Sequence, residues 1–293
     1  MFCVKVKIIS NKKIGQKYFK IRLEAPKIAG EALPGQFVMA RISDDYEPLL
    51  RRPFSIHRVI GKEIEIFYEI KGKGTEILSK KKAGEYLDVI GPLGNGFDLR
   101  RAKGEGRRAI IVAGGMGVAP LTFLAEKLRS IEPRISNFEI AVLLGARTKE
   151  QVSCEKEFKN LGCDVKIATD DGSHGFKGRI TELLEEILAT GYTLTGTGRL
   201  YPYGHKQATG KNKKQLAACS LQPAAVVYAC GPKPMLKEIT RLAECYHIPA
   251  WVSLEEYMAC GFGACLGCVV QTKNGYKYVC KEGPVFNTEE LLP

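Results

Sequence analysis

The run Ile111-Val112-Ala113-Gly114-Gly115-Met116-Gly117-Val118-Ala119-Pro120 passes from an unbroken apolar stretch through three glycines into a helix pattern that opens at Pro120. A strand apolar at every position has both faces covered, the condition of a parallel sheet between helices. Glycines at the strand end let the backbone approach a ligand, and a helix start offers unpaired N–H groups to an anion such as a pyrophosphate. The spacing is not G-x-G-x-x-G, and a tight turn with no ligand has the same look.

Working outward, apolar runs alternate with helical stretches. Strand-like runs at 109–115, 138–146, 164–170, 224–231 and 249–254 are separated by helix patterns at 122–130, 156–161, 180–188 and 234–245. This predicts a doubly wound parallel-sheet α/β domain over residues 105–252. Residues 191–222 break the rhythm where a few residues would suffice, and we read them as an inserted loop or exposed hairpin.

Residues 1–104 carry a different pattern: six strand-like segments at 3–10, 18–25, 35–42, 52–59, 63–70 and 86–91, with turn signals at Pro34-Gly35, Gly61-Lys62 and Gly91-Pro92. They predict a small antiparallel six-stranded β-barrel with one short helix over 74–82, capped by Thr75. The third segment, 253–293, is a C-terminal appendage containing Cys260, Cys265, Cys268 and Cys280. The spacing C-x4-C-x2-C-x11-C is the plant-type arrangement for a 2Fe-2S cluster, and Gly261, Gly263, Ala264 and Gly267 let the loop curl around it. A four-cysteine zinc site is the competing reading, although only Cys265 and Cys268 form the C-x2-C pair that zinc sites repeat.

The chain has 293 residues, 45% hydrophobic and 26% charged, which suits a globular protein of more than one domain. No signal peptide or membrane-spanning run is visible, so it reads as cytoplasmic, with its ten cysteines outside disulfides. Most of the net charge of +12 lies in the first part: residues 1–108 hold 23 basic against 13 acidic residues. The basic runs are short and lack interleaved aromatics, which argues against nucleic acid; a basic zinc-binding nucleic-acid module remains the alternative of another class.

Arg52-Pro53-Phe54-Ser55, Gly72-Lys73-Gly74-Thr75, Gly114-Gly115-x-Gly117-x-x-Pro120 and Cys230-Gly231-Pro232 occur in the order seen in the ferredoxin reductase superfamily. With GPLGNGF at 91–97, TDDGS at 169–173 and ACGFGACLGC followed by VCKEGPVF, the chain resembles the FAD and 2Fe-2S electron-transfer subunits of class 1B, NAD-dependent dihydroorotate dehydrogenases. The resemblance implies that residues 1–104 bind FAD and that 105–252 bind NAD(H). Arg52 would meet the flavin pyrophosphate, with Pro53 and Phe54 beside the flavin and Ser55 near its reactive nitrogen. Many superfamily members have Tyr where Phe54 stands, so only packing is kept there. Ile70, Lys71, Gly74 and Thr75 would also bind the cofactor, Gly74 and Thr75 through its phosphate. Gly114, Gly115 and Gly117 would carry the NAD pyrophosphate, and Cys230 and Gly231 would lie near the nicotinamide. Cys230 also suits a plain buried position. Arg147 or Lys149 could grip a 2′-phosphate, but the pattern favours NAD.

Hydride exchange between stacked rings demands no acid or base, so no catalytic acid or base is assigned. His57, His174, His205 and His247 lie far apart and read as surface or capping residues, and Glu255-Glu256 reads as a charged strand end. The resemblance implies a partner subunit with FMN that oxidises dihydroorotate in pyrimidine biosynthesis, in a heterotetramer of two of each subunit. Electrons would run from the partner FMN to the cluster, to FAD, to NAD. The related alternative is an NADH-linked ferredoxin or sulfide oxidoreductase subunit; Cys260 favours the dihydroorotate reading, because some such relatives carry a carboxylate there.

Overall fold

The computed structural model describes residues 1–43, 45–100, 108–131, 139–190 and 225–292. Among them no helix is long and apolar enough to cross a membrane. The expected insertion at 191–222 lies outside the described residues. The first part contains β1 (Phe2–Lys13), β2 (Tyr18–Glu24), α1 (Pro26–Glu31), β3 (Phe37–Arg41), β4 (Arg52–Ser55), β5 (Arg58–Ile60), β6 (Glu63–Glu69), α2 (Lys73–Lys80) and β7 (Tyr86–Leu93). The strands form one antiparallel sheet in the order β4-β3-β7-β1-β2-β6-β5. Period-two patterning decides its inner face: Val6 and Ile8 of β1 and Phe19, Ile21 and Leu23 of β2 are buried.

The two ends of that order are neighbours in sequence. The stretch read as one strand, 52–59, turns a corner: the Ile56 amide donates to the Gln36 carbonyl, whereas the His57 amide donates to the Glu65 carbonyl on β6. β4 therefore pairs with β3 and β5 pairs with β6, and the sheet curls into an antiparallel half-barrel of seven strands rather than six. Across the curl the Phe54 and Tyr68 rings meet edge to face, centroids 5.9 Å apart, over one apolar core. The short helix also starts differently: Gly72 is its N-cap, and the Thr75 hydroxyl, inside the first turn, accepts from the Lys71 and Gly72 amides.

The second part contains β8 (Arg108–Gly114), α3 (Val118–Ile131), β9 (Glu139–Ala146), α4 (Glu155–Asn160), β10 (Asp164–Thr169), β11 (Phe176–Lys177), α5 (Ile180–Thr190), β12 (Ala225–Cys230), α6 (Lys233–Cys245) and β13 (Ala250–Ser253). Its sheet has the order β11-β10-β9-β8-β12-β13 and is parallel throughout these strands. Alternate residues of each strand serve opposite faces. Ile111, Val142 and Tyr228 pack with α3, while Ile110, Leu143 and Val227 pack with α5 and α6. A 3-10 turn at Gly115–Gly117 precedes α3, so Pro120 stands inside the first turn and not at the helix opening; its missing N–H would be unpaired there in any case.

The C-terminal segment adds a hairpin, β14 (Val269–Thr272) and β15 (Gly275–Tyr278), and then β16 (Val285–Asn287). β16 lies antiparallel on β13 as the seventh strand of the second sheet, so the segment returns into the core and does not hang from it. Val285 and Phe286 are buried on opposite faces.

Tyr228 is fully buried, touches Phe97 and Trp251, and donates its hydroxyl to the Asp98 carbonyl at 2.8 Å, fastening the end of the first part to the second sheet. In urea titrations Tyr228→Phe is expected to lose roughly 1 kcal/mol, the net value of such a bond. Tyr228→Ala should lose roughly 3–5 kcal/mol through the cavity it leaves.

Candidate functional site

After β8 the chain runs outward through β9, β10 and β11, and it returns on the other side of β8 as β12 and β13. The C-terminal ends of β8 and β12 are therefore a topological switch point, where the flanking loops diverge and leave a crevice. A Cβ added to Gly117 would lie 2.0 Å from the Cys230 carbonyl oxygen, so only glycine lets the turn after β8 sit against the end of β12. Gly115 has φ +53°, a left-handed conformation that also favours glycine.

A cleft of about 270 Å³ opens there, lined by Gly114, Gly115, Gly117 and Gly231 on one side. Lys17, Tyr18, Glu69 and Lys71 of the first domain close the other, with Arg147, Gln151 and Glu255 at its rim. Of the residues singled out by sequence, the cleft gathers Lys71, Gly114, Gly115, Gly117 and Gly231. Cys230 stands behind this wall, buried, with its thiol pKa pushed up by burial and by the Glu255 charge.

Arg52 and Gly74 meet at a second place. A Cβ on Gly74 would come 3.2 Å from Arg52 Nε, so the arginine stem lies across the start of α2, where helix geometry leaves amides unpaired. Arg52 donates to the Leu50 carbonyl at 2.6 Å and has no carboxylate partner among the described residues. Its neighbour Arg51 is committed to the Asp88 carboxylate at 2.6 Å. Pro53 and Ser55 are half-buried, whereas Phe54 is 8% exposed and turned into the sheet interior, which leaves it little surface to offer a ligand. Ile70 is anchored by its amide to the Lys17 carbonyl.

The cysteines form a third place. Cys268 and Cys280 are buried in the core, Cys260 is half-buried and Cys265 is exposed. Burial works against ionising Cys260, but amides of Phe262, Cys265 and Ala264 and the Cys265 thiol outweigh it and hold its pKa down at about 6. The Gly263 amide donates to Cys280 Sγ at 3.1 Å and the Cys280 amide to Cys268 Sγ at 3.4 Å. Cys280 is pushed up to about 12 by burial and by Cys268. Cys265 thus acts most directly on Cys260 and Cys268 on Cys280, with Cys260 adding to the rise at Cys280. Gly261 and Gly263 have φ +86° and +89°, and a Cβ on Gly261 would fall 2.4 Å from Met39 Cγ. The loop therefore rests on β3, where Met39 stands opposite Pro53 of β4.

Two residues dismissed on sequence belong to these surroundings. Glu255 is exposed as a residue, but its carboxyl faces the cleft wall: burial raises its pKa, Lys71 opposes and Glu69 adds to the rise. Glu256, by contrast, pairs with Lys233 at 2.6 Å. His57 is neither a surface nor a capping residue. It is fully buried at the barrel corner, between the two domains, with Nδ1 2.8 Å from the Ala119 carbonyl and Nε2 3.3 Å from the Glu157 carboxylate. Each partner is distant in sequence, so no local signal marks it.

Residues 255–292 match the family model of the iron-sulfur cluster binding domain of dihydroorotate dehydrogenase B. The chain is 36% identical to the electron transfer subunit of dihydroorotate dehydrogenase B (NAD(+)) from Desulforamulus reducens, over 98% of this chain and 97% of that protein. It is 37% identical to the corresponding subunit of a Geobacillus species, over 97% and 96% of the two chains. Among solved structures, the NADH-dependent reduced ferredoxin-NADP oxidoreductase superposes with a TM-score of 0.73 at 28% identity, covering 98% of this chain and 89% of that one. The ferredoxin NADP+ reductase of Neisseria gonorrhoeae, with bound FAD and NADP, shares the fold at a TM-score of 0.61 and 17% identity, covering 83% and 90%.

Burial works against ionising Glu157, but hydrogen bonds from His57 and Lys20 outweigh it and hold its pKa at about 2, below the ordinary 4.5. A carboxylate depressed in the folded state stabilises it above the unfolded pKa and loses that contribution as the pH falls through the folded one. Stability is therefore expected to decline between pH 4.5 and about 2, with a shallower decline in Glu157→Gln. Urea titrations at a series of pH values check both.

Proposed function

The chain belongs to the electron transfer subunits of dihydroorotate dehydrogenase B, NAD-linked flavin reductase-like oxidoreductases, and from that premise we propose that it holds FAD, a 2Fe-2S cluster and NAD(H) at the three places described. In this reading residues 1–104 carry FAD, 105–252 carry NAD(H) and 253–293 carry the cluster. The flavin and nicotinamide supply hydride exchange and the cluster supplies one-electron transfer, which together link NAD to a partner subunit whose FMN accepts electrons from dihydroorotate.

The residues present fit these groups. Arg52 offers a guanidinium without a carboxylate partner among the described residues, set across the N-terminus of α2, where Gly74 and Thr75 present amides; this suits a diphosphate. Ser55 projects from the same strand, and Lys71 reaches the cleft between the domains. Gly114, Gly115, Gly117 and Gly231 bring backbone to the cleft wall between Met116 and Pro232, which suits a second diphosphate beside α3. Arg147 at the rim is placed for the adenosine end.

The cysteine pairing supports two irons, each taking two thiolates. One tetrahedral zinc would draw all four sulfurs together, yet among the described residues the one group of three or more ligands within 4.8 Å of one another is His57, Cys154 and Glu157. The observation that carries the reading is the seat of the cysteine loop on Met39, opposite Pro53 of the flavin strand. It supports a cluster held next to the proposed FAD strand.

In the cysteine-bearing segment, Tyr257, Phe262, Leu266 and Tyr276 are exposed, Tyr257 at 94%. Such apolar side chains suit contact with the FMN subunit, in a cytoplasmic heterotetramer of two of each chain.

The purified chain is expected to be brown-yellow, with flavin and two irons, and Arg52→Ala should lower its FAD content. A colourless zinc protein would overturn the cofactor assignment. Co-expressed with the FMN subunit, it should support dihydroorotate-dependent NAD reduction; a complex that reduced NAD with sulfide and ignored dihydroorotate would overturn the partner. Changing Tyr257 and Tyr276 together to Ser should reduce co-purification of the FMN subunit and leave the FAD content unchanged.

A further inference from the structure

His57 occupies the corner of the barrel, two residues after Ser55, and its ring reaches from Phe67 and Glu65 of β6 to Ala119 and Glu157 of the second part. The Ala119 carbonyl can only accept, so Nδ1 carries the proton of the 2.8 Å bond between them. Ala119 lies two residues after Gly117, in the first turn of α3. One imidazole thus links the corner just after β4, which bears Arg52 and Ser55, to the first turn of α3, two residues beyond Gly117.

The ring is held on every side. Its face meets Phe67 with centroids 5.5 Å apart, and its Nε2 lies 3.3 Å from the Glu157 carboxylate on α4 and 3.9 Å from the Glu65 carboxylate on β6. Lys20 of β2 reaches both Glu157 oxygens at 2.6 Å and lies 3.8 Å from Glu65. Arg58 of β5 bonds Glu126 of α3 at 2.5 Å and stands 3.9 Å from Glu157. Cys154, at the start of α4, completes the group with a thiol whose pKa is raised by burial and by Glu157. The donor atoms of His57, Cys154 and Glu157 would suit a metal by distance, but the Lys20 ammonium already fills the position beside the carboxylate that a cation would take.

We propose that His57 is a positioning residue that sets the NAD pyrophosphate turn at its working distance and angle from the flavin strand. The inference rests on FAD at Arg52–Ser55 and NAD at Gly114–Gly117. Hydride exchange requires the two rings to stack within contact distance, and a small displacement of one cofactor loop against the other lowers the rate steeply. A single directional bond from a rigid, fully buried ring to the backbone of the turn restricts that displacement. The surrounding ion pairs fix the ring in turn.

Two conservative variants separate this role from plain stability. His57→Asn keeps an N–H donor at the position of Nδ1, towards Ala119; His57→Gln carries its donor one carbon farther, towards Glu157, and gives up the Ala119 bond. In the full FAD-loaded chain, NADH oxidation by ferricyanide should fall about tenfold in kcat for His57→Gln. Its KM for NADH should stay within about twofold, because binding is retained while alignment is lost. The long-wavelength charge-transfer absorbance that appears when NADH stacks on the flavin should weaken in the same variant, at unchanged FAD content. His57→Asn should match the wild type in kcat and absorbance.

A His57→Gln protein with wild-type kcat and absorbance would overturn the proposal. So would an equal loss in both variants that follows their melting temperatures, since that is what a purely structural residue gives. A wild-type chain that binds no FAD, or binds it and shows neither NADH oxidation nor the absorbance, fails at the cofactor assignment itself and takes the proposal with it.

Discussion

The contact between Gly117 and the Cys230 carbonyl constrains everything built around it. β8 and β12 are adjacent strands at the point where the sheet reverses its order of winding, so their loops must part there. Whatever fills the gap must be backbone, because a single methyl group at residue 117 would overlap the end of β12. The turn is thereby pressed against the end of β12, and α3 starts directly after it. The first domain can then approach closely enough for Lys17, Glu69 and Lys71 to form the opposite wall of the same cleft.

The C-terminal segment answers a second constraint: a loop of four cysteines needs support that its own small residues cannot give. β16 supplies one anchor by joining the second sheet beside β13. The first domain supplies the other. The Asn95 amide and side chain bond the carbonyls of Gly283 and Glu282, and Gly94, at φ +71°, lets the chain pass the Gly283 carbonyl where a Cβ would come within 2.6 Å. With Gly261 against Met39, the cysteine loop is fixed to both domains, and half of its thiols are sealed inside while Cys265 remains open to a partner.

The parts legible in the sequence are those whose signal is local. β8, β9 and β12 are apolar at successive positions because both faces are covered, and the cysteine spacing states its own chemistry. The corner at Ile56-His57 was not legible: the alternation of Phe54, Ser55, Ile56 and His57 breaks at Arg58, but one break does not name the new partner strand, which is set by Gln36 and Glu65. β16 has only three residues, too few for periodicity to register. Thr75 looks like a cap because its hydroxyl does bond the helix start, but from inside the first turn. The burial of His57 and the cleft position of Glu255 follow from contacts with residues tens of positions or more away, which no window along the chain contains.

The junction between the domains shows why such contacts matter. An apolar interface alone is non-directional and tolerates sliding, because one hydrocarbon contact replaces another at little cost. A buried polar group tolerates no such exchange: displacing it leaves a donor or acceptor unpaired where water cannot reach. Lys20, His57, Arg58 and Glu65 on the barrel meet Glu126, Glu157 and the Ala119 carbonyl on the nucleotide domain in one connected set. Moving either domain by an ångström would lengthen several of these bonds together. The set therefore converts a surface that could slip into one with a single register, and it does so at the start of α3, two residues beyond the glycine turn that lines the cleft.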